Sequence, residues 1–154
     1  MSEVLYLSLI HEQISVPMSQ ESNITWECHA FGDLTPADLY AAMALRQIVF
    51  IVEQNCAYLD ADGSDQKAKH LLGWRPGEFG RRQLVAYARL FPPRIKYAES
   101  SIGRVITHPD VRGTGIGKEL MVEGIKRVES EGWGPEIRIA AQMYLEHFYE
   151  SYGF

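Results

Sequence analysis

The chain has 154 residues, enough for one domain, since domains commonly run to about 100–200 residues. Hydrophobic residues make up 46% and charged residues 23%, with three Trp, eight Tyr and six Phe, which excludes a disordered or fibrous chain. Lys and Arg number 15 against 20 for Asp and Glu, a formal charge of −5, so the domain lacks the basic balance of a nucleic-acid binder. Cys28 and Cys56 lie far apart and outside any CxxC pattern, so no disulfide framework or zinc site is indicated and a reducing compartment is the simpler home.

The apolar stretch at residues 4–10 is too short to span a bilayer and has neither a basic lead nor a cleavage pattern. The chain therefore reads as cytoplasmic, with no membrane partner. Residues 1–23 end in the polar run Ser19-Gln20-Glu21-Ser22-Asn23 and read as an N-terminal extension, either a tail or an added strand. Residues 24–154 carry no repeat and no low-complexity tract, and are expected to form one packed unit.

Ile24-Thr25-Trp26-Glu27-Cys28-His29-Ala30 alternates apolar and polar residues and predicts a strand. A helix follows, with Thr35 as cap, Pro36 at its first position, Asp38 where a capping box places its acid, and an apolar face running to about Val52. Residues 53–69 are polar and acidic and read as a loop. Strands at 70–74 and 83–91 make a hairpin, and a third at 101–107 is closed by Pro109. A strongly amphipathic helix then runs to about Glu131, a strand covers 136–140, and an aromatic-rich helix spans 142–152.

Between the strand at 101–107 and the amphipathic helix lies Arg112-Gly113-Thr114-Gly115-Ile116-Gly117-Lys118. A glycine-rich turn that opens a helix gathers unpaired N–H groups at the positive end of the helix dipole, which suits an anion such as phosphate. Three glycines alone serve tight helix–strand packing equally well. The spacing is not that of a P-loop, GxxxxGK[ST], nor of the dinucleotide turn GxGxxG.

The run from Arg112 to Gly117 resembles the R/Q-x-x-G-x-G/A signature of the GNAT superfamily of acetyl-CoA-dependent N-acetyltransferases. Gly103-Arg104-Val105-Ile106-Thr107 with His108-Pro109 before it, and Phe148-Tyr149-Glu150-Ser151-Tyr152-Gly153-Phe154 after it, are similar to that superfamily's neighbouring motifs. Leu45-Arg46-Gln47-Ile48-Val49-Phe50-Ile51-Val52-Glu53-Gln54-Asn55-Cys56, Tyr58-Leu59-Asp60-Ala61-Asp62-Gly63 and Leu84-Val85-Ala86-Tyr87-Ala88-Arg89-Leu90 resemble its ElaA-like branch. The resemblance covers residues 24–154.

It implies an α/β fold with a mixed, mostly antiparallel central sheet, helices on both faces, and splayed fourth and fifth strands with the pantetheine of acetyl-CoA in the gap. The backbone of Val105, Ile106 and Thr107 would pair with the pantetheine. Arg112, Gly113, Thr114, Gly115, Ile116, Gly117 and Lys118 would cradle the pyrophosphate. Gln142 stands where the superfamily often has an asparagine contacting the cofactor, and Tyr149 where a tyrosine often protonates the departing thiolate. No metal is implied.

The implied activity is direct acetyl transfer to a primary amine of unidentified structure. No carboxylate lies between Ser101 and Thr107, and position 137 is Ile, so the base must come from elsewhere. Glu53, Asp60, Asp62, Glu99 and His108 are candidates, of which Glu53 is taken as the base. The alternatives are a Glu53 paired with Arg46 and loop acids that are only solvated. A backbone N–H near Ile106 would polarise the carbonyl if that strand bulges. The ElaA-like branch continues past its Gly-Phe pair with a further hairpin, whereas this sequence ends at Phe154, so an uncovered strand edge is expected that would favour a homodimer. Two other readings are a non-catalytic acyl-CoA-binding module and an acyl-homoserine-lactone synthase-like enzyme, the latter supported only by Arg46, Val49 and Phe50.

Overall fold

The computed structural model describes residues 4–8 and 22–140. In chain order these form β1 (Val4–Ser8), β2 (Thr25–Ala30), α1 (Pro36–Arg46), β3 (Lys69–Pro76), β4 (Arg82–Phe91), β5 (Ser100–Thr107), α2 (Ile116–Ser130) and β6 (Glu136–Ala140). The helix expected at 142–152, with Gln142 and Tyr149, lies outside the described residues.

Thr35 starts α1 by a reciprocal exchange. The Asp38 N–H donates to Thr35 Oγ1 at 3.1 Å and the Thr35 N–H donates to Asp38 Oδ2 at 3.3 Å, with Pro36 at the first turn. The expected single helix to Val52 is instead α1 followed by a π-helical segment, Gln47–Glu53, in which the Gln54 N–H reaches Val49 O at 3.0 Å. The wider coil keeps the adjacent Val49 and Phe50 both buried, which a regular α-turn facing one sheet does less well.

The sheet has six strands in the order β1-β6-β5-β4-β3-β2. All neighbours are antiparallel except β5 and β6, which run parallel. The α/β fold class expected from the sequence is the one found. Alternate residues of the sheet serve two cores. On one face Leu71, Leu90, Ile102, Ile137 and Ile139 pack with Leu120, Met121, Ile125 and Val128 of α2. On the other, Leu72, Tyr87 and Ile106 pack with Ala42, Leu45, Val49 and Phe50.

Two features of this sheet set the site. β6 pairs with β5 only at Ser100↔Ile137, Ser101↔Arg138 and Ile102↔Ile139, so β5 continues through residues 103–107 with no β6 partner among the described residues. On its other side β5 is offset against β4. Tyr87 stands opposite Ile106 and Arg89 opposite Gly103, so Ala88 faces two residues, Arg104 and Val105, which is a β-bulge.

Candidate active site

The glycine turn has the backbone that its sequence demands. Gly113 and Gly115 sit at φ +76° and +91°, and a Cβ built on either would meet nothing within 4 Å. Glycine is therefore required at both for conformation, and the space in front of them is open. Gly115 precedes α2, whose first backbone bond runs from the Glu119 N–H to Gly115 O at 3.1 Å. The N–H groups of Gly113, Gly115, Ile116, Gly117 and Lys118 thus have no acceptor among the described residues. The buried Ile116 seats the helix start in the core, while Arg112, Gly113, Thr114, Gly115 and Lys118 remain exposed. Exposed N–H groups facing open space at a helix start suit an anion such as a pyrophosphate.

The unpartnered end of β5 leads directly to it. The His108 N–H donates to Val85 O at 2.7 Å, so by strand alternation Ile106 directs its backbone groups toward β4 and Thr107 directs its own to the open edge. The Thr107 carbonyl there accepts from Arg112 Nη2 at 3.2 Å. Of the residues expected to pair with a pantetheine, this alternation turns the Thr107 N–H to the open side and the Ile106 N–H to β4. The bulge falls at Arg104 and Val105, one to two residues before Ile106. Arg104 takes φ +51°, a left-handed conformation uncommon for a residue with a side chain.

Glu53, at the end of the π-helical segment, accepts from Arg112 Nη1 at 2.6 Å through Oε1. It does not pair with Arg46, correcting that alternative. The same Arg112 guanidinium bonds Thr107, so Glu53 stands one side chain away from the open edge of β5. Among the described residues Glu53 Oε2 has no hydrogen bond. Of the other candidates, Glu99 lies 3.4 Å from Arg138 Nε, and His108 Nδ1 accepts from the Asp110 N–H at 3.2 Å.

Asp60 and Asp65 of the acidic loop are not solvated, which corrects the second alternative for these two acids, while Asp62 is partly exposed. Asp60 and Asp65 are buried, and each is shared between two arginines. Arg46, fully buried, donates from Nε to Asp60 Oδ2, from Nη1 to Asp65 Oδ1 and from Nη2 to Asp60 O, all at 2.7 Å. Arg89 Nη1 reaches Asp62 Oδ1 at 2.8 Å and Asp65 Oδ1 at 3.1 Å. Burial pushes the Asp65 carboxyl up, but the Arg46 and Arg89 guanidiniums outweigh it and hold it below the ordinary carboxylate range. The hydrogen bonds from Arg89 likewise hold Asp62 below that range. Beneath them His70, kept neutral by burial, donates from Nε2 to Asp65 O at 2.9 Å and accepts from the Tyr87 hydroxyl at Nδ1, 2.7 Å away. Arg104 joins this network through Asp60 at 2.7 Å. In the sequence Asp60 is a candidate base and Arg104 lies within a strand motif, but no local pattern shows that the two pair or that Asp65 is buried.

Among the described residues no group of three His, Cys, Asp or Glu side chains is placed to hold a metal ion, and no helix is long and apolar enough to cross a membrane.

The profile of the Acetyltransferase (GNAT) domain family matches residues 79–154. The UPF0039 protein sll0451 of Synechocystis is 41% identical over 131 residues, covering 85% of this chain and 82% of that protein. Protein ElaA of Escherichia coli is 37% identical over 133 residues, covering 85% of this chain and 84% of its own. Its crystal structure aligns at a TM-score of 0.76, over 84% of this chain and 85% of that one. An acyl-CoA N-acyltransferase from Pseudomonas aeruginosa aligns at the same TM-score, 0.76, with 38% identity over 85% of this chain and 88% of that chain. An opened parallel strand pair beside a glycine turn, with likeness of this extent over most of the chain, has one reading: the protein belongs to the GNAT acetyltransferase family, in the branch that contains ElaA.

Proposed function

We propose that this chain is a cytoplasmic, acetyl-CoA-dependent N-acetyltransferase that moves the acetyl group directly to a primary amine. The observation that carries the reading is the open edge of β5 running into the unpaired N–H groups of the glycine turn, a continuous path for a pantetheine and its pyrophosphate. Arg112, Gly113, Thr114, Gly115, Ile116, Gly117 and Lys118 would hold the pyrophosphate, and Val105, Thr107 and Gln142 the remainder of the cofactor, since the backbone groups of Ile106 face β4. Bound there, acetyl-CoA supplies an acyl carbon on a thiol leaving group.

The chain's own residues then have three tasks. N–H groups at the bulge polarise the carbonyl oxygen in a site of fixed donors. Glu53 Oε2 takes the proton released by the amine as nitrogen bonds to the acyl carbon. Tyr149 delivers a proton to the sulfur as the carbon–sulfur bond breaks. The base matters, because an amine of pKa ~10.4 pays about 4–5 kcal/mol to be neutral at pH 7. A covalent acyl-enzyme through Cys28 is disfavoured, since burial pushes that thiol up, opposite to what an activated nucleophile needs.

The test is calorimetric titration of acetyl-CoA with Gly115→Asp as control, followed by thiol release against an amine panel. Binding lost in the variant, with thiol released for some amine, is the expected result. Binding without release for any amine favours the acyl-CoA-binding module, and no binding by folded protein overturns the cofactor assignment.

A further inference from the structure

We infer that Asp60 is a positioning residue that holds the β5 bulge in shape through Arg104, an inference that rests on the transferase reading above. Left-handed backbone is unfavourable for a residue with a Cβ, so Arg104 at φ +51° needs something to keep it there. Its side chain supplies that. Arg104 Nε donates to Asp60 Oδ1 at 2.7 Å, and the guanidinium lies 5.5 Å from the Phe50 ring centroid and 5.4 Å from that of Tyr58. Asp60 is only 6% exposed, and the Arg104 side chain 21%, so this pair escapes most of the screening that makes surface ion pairs weak.

Asp60 is itself immobilised. Its second oxygen and its main-chain carbonyl both accept from Arg46, which is entirely buried against α1 and the sheet. A rigid line therefore runs from the core through Arg46 and Asp60 to Arg104. It joins three separate segments, α1, the acidic loop and β5, at a residue held in left-handed backbone. The N–H groups of that bulge are those proposed to polarise the thioester carbonyl, and a misplacement of about 1 Å at such a point costs on the order of 100-fold in rate. Asp60 thus bears on the reaction without touching substrate.

A double-mutant cycle separates this role from simple stabilisation, because glycine at 104 accepts positive φ without an anchor. Asp60→Asn is expected to lower kcat about tenfold with KM for acetyl-CoA changed less than about twofold. It is also expected to speed amide hydrogen exchange in residues 103–107. On an Arg104→Gly background, itself slowed several-fold, the same substitution is expected to change kcat by less than about twofold. A further tenfold loss there would overturn the inference, since Asp60 would then act through Arg46 and the core alone.

If Asp60→Asn does not fold, Arg104→Val compared with Arg104→Gly decides. Valine resists left-handed backbone and is expected to give faster exchange at 103–107 and turnover at least about tenfold slower than glycine. Equal exchange and turnover would overturn the inference. A wild-type chain that releases no thiol overturns the transferase reading instead, while the exchange rates still test the anchoring.

Discussion

Arg112 and Glu53 are joined at 2.6 Å, and this one ion pair links the end of the π-helical segment to the first residue of the glycine turn. Because Arg112 also bonds the Thr107 carbonyl, three elements meet on a single guanidinium at the mouth of the opening beside β5. Glu53→Gln keeps an oxygen that accepts from Arg112 but removes the proton acceptor. The expected outcome is a fall in kcat of about 100-fold or more, with acetyl-CoA affinity by calorimetry within about threefold of wild type. A loss of affinity matching the loss of rate would assign Glu53 to holding Arg112 instead.

Gly115 sits at φ +91° with open space where a side chain would project. Asparagine tolerates this backbone better than most residues, so Gly115→Asn and Gly115→Asp separate conformation from charge. A carboxylate about 4 Å from a pyrophosphate costs ~4 kcal/mol per unit charge at an effective dielectric of 20. Gly115→Asp is therefore expected to bind acetyl-CoA at least about 100-fold more weakly than Gly115→Asn, with the gap narrowing in high salt. Equal affinities would place the pyrophosphate elsewhere.

Arg46 makes three hydrogen bonds of 2.7 Å from a fully buried side chain. Removing one partner of such a network leaves the others uncompensated, and Arg46→Ala is expected to cost about 3–5 kcal/mol in urea denaturation. Lys126, whose exposed ammonium lies 3.2 Å from Glu123, gives the contrast: Lys126→Ala is expected to cost less than about 0.5 kcal/mol.

Acid should unfold this protein in two stages. The folded pKa of His70 lies below its ordinary value of 6.5, so its contribution is fully present above pH 6.5 and is lost as pH falls through the folded value. The carboxyls of Asp62 and Asp65 lie below their ordinary 3.8, so theirs is present above that pH and lost as pH falls further. Unfolding free energy measured in urea is expected to decline as pH falls below 6.5, and more steeply below pH 4. In His70→Gln the first decline is expected to vanish while the second remains. A first decline that persists in that variant would place its origin in another group.

The parts of this molecule legible from sequence are those whose causes are local. Thr35, Pro36 and Asp38 specify a helix start within four residues, and Gly113 and Gly115 specify positive φ where no other residue adopts it readily. The bulge is different, because it belongs to the pairing of Ala88 with Arg104 and Val105 and to neither strand alone. The partners of Arg46 lie 14 and 19 residues away, in a stretch whose acids look in sequence like any solvated loop. Glu53 illustrates a third kind of loss. Seven residues of regular α-helix would return it to the face that carries Arg46, but the wider coil of Gln47–Glu53 turns it toward Arg112.

β6 shares five register pairs with β1 and three with β5. One bank of the cleft is therefore moored mainly by the opposite end of the polypeptide. Shortening or fusing the amino terminus, the usual first step in making a protein for study, would alter how far that bank stands from β5. Acyl-chain selectivity measured on a trimmed or tagged chain would then report the width of a cleft that the experimenter had set.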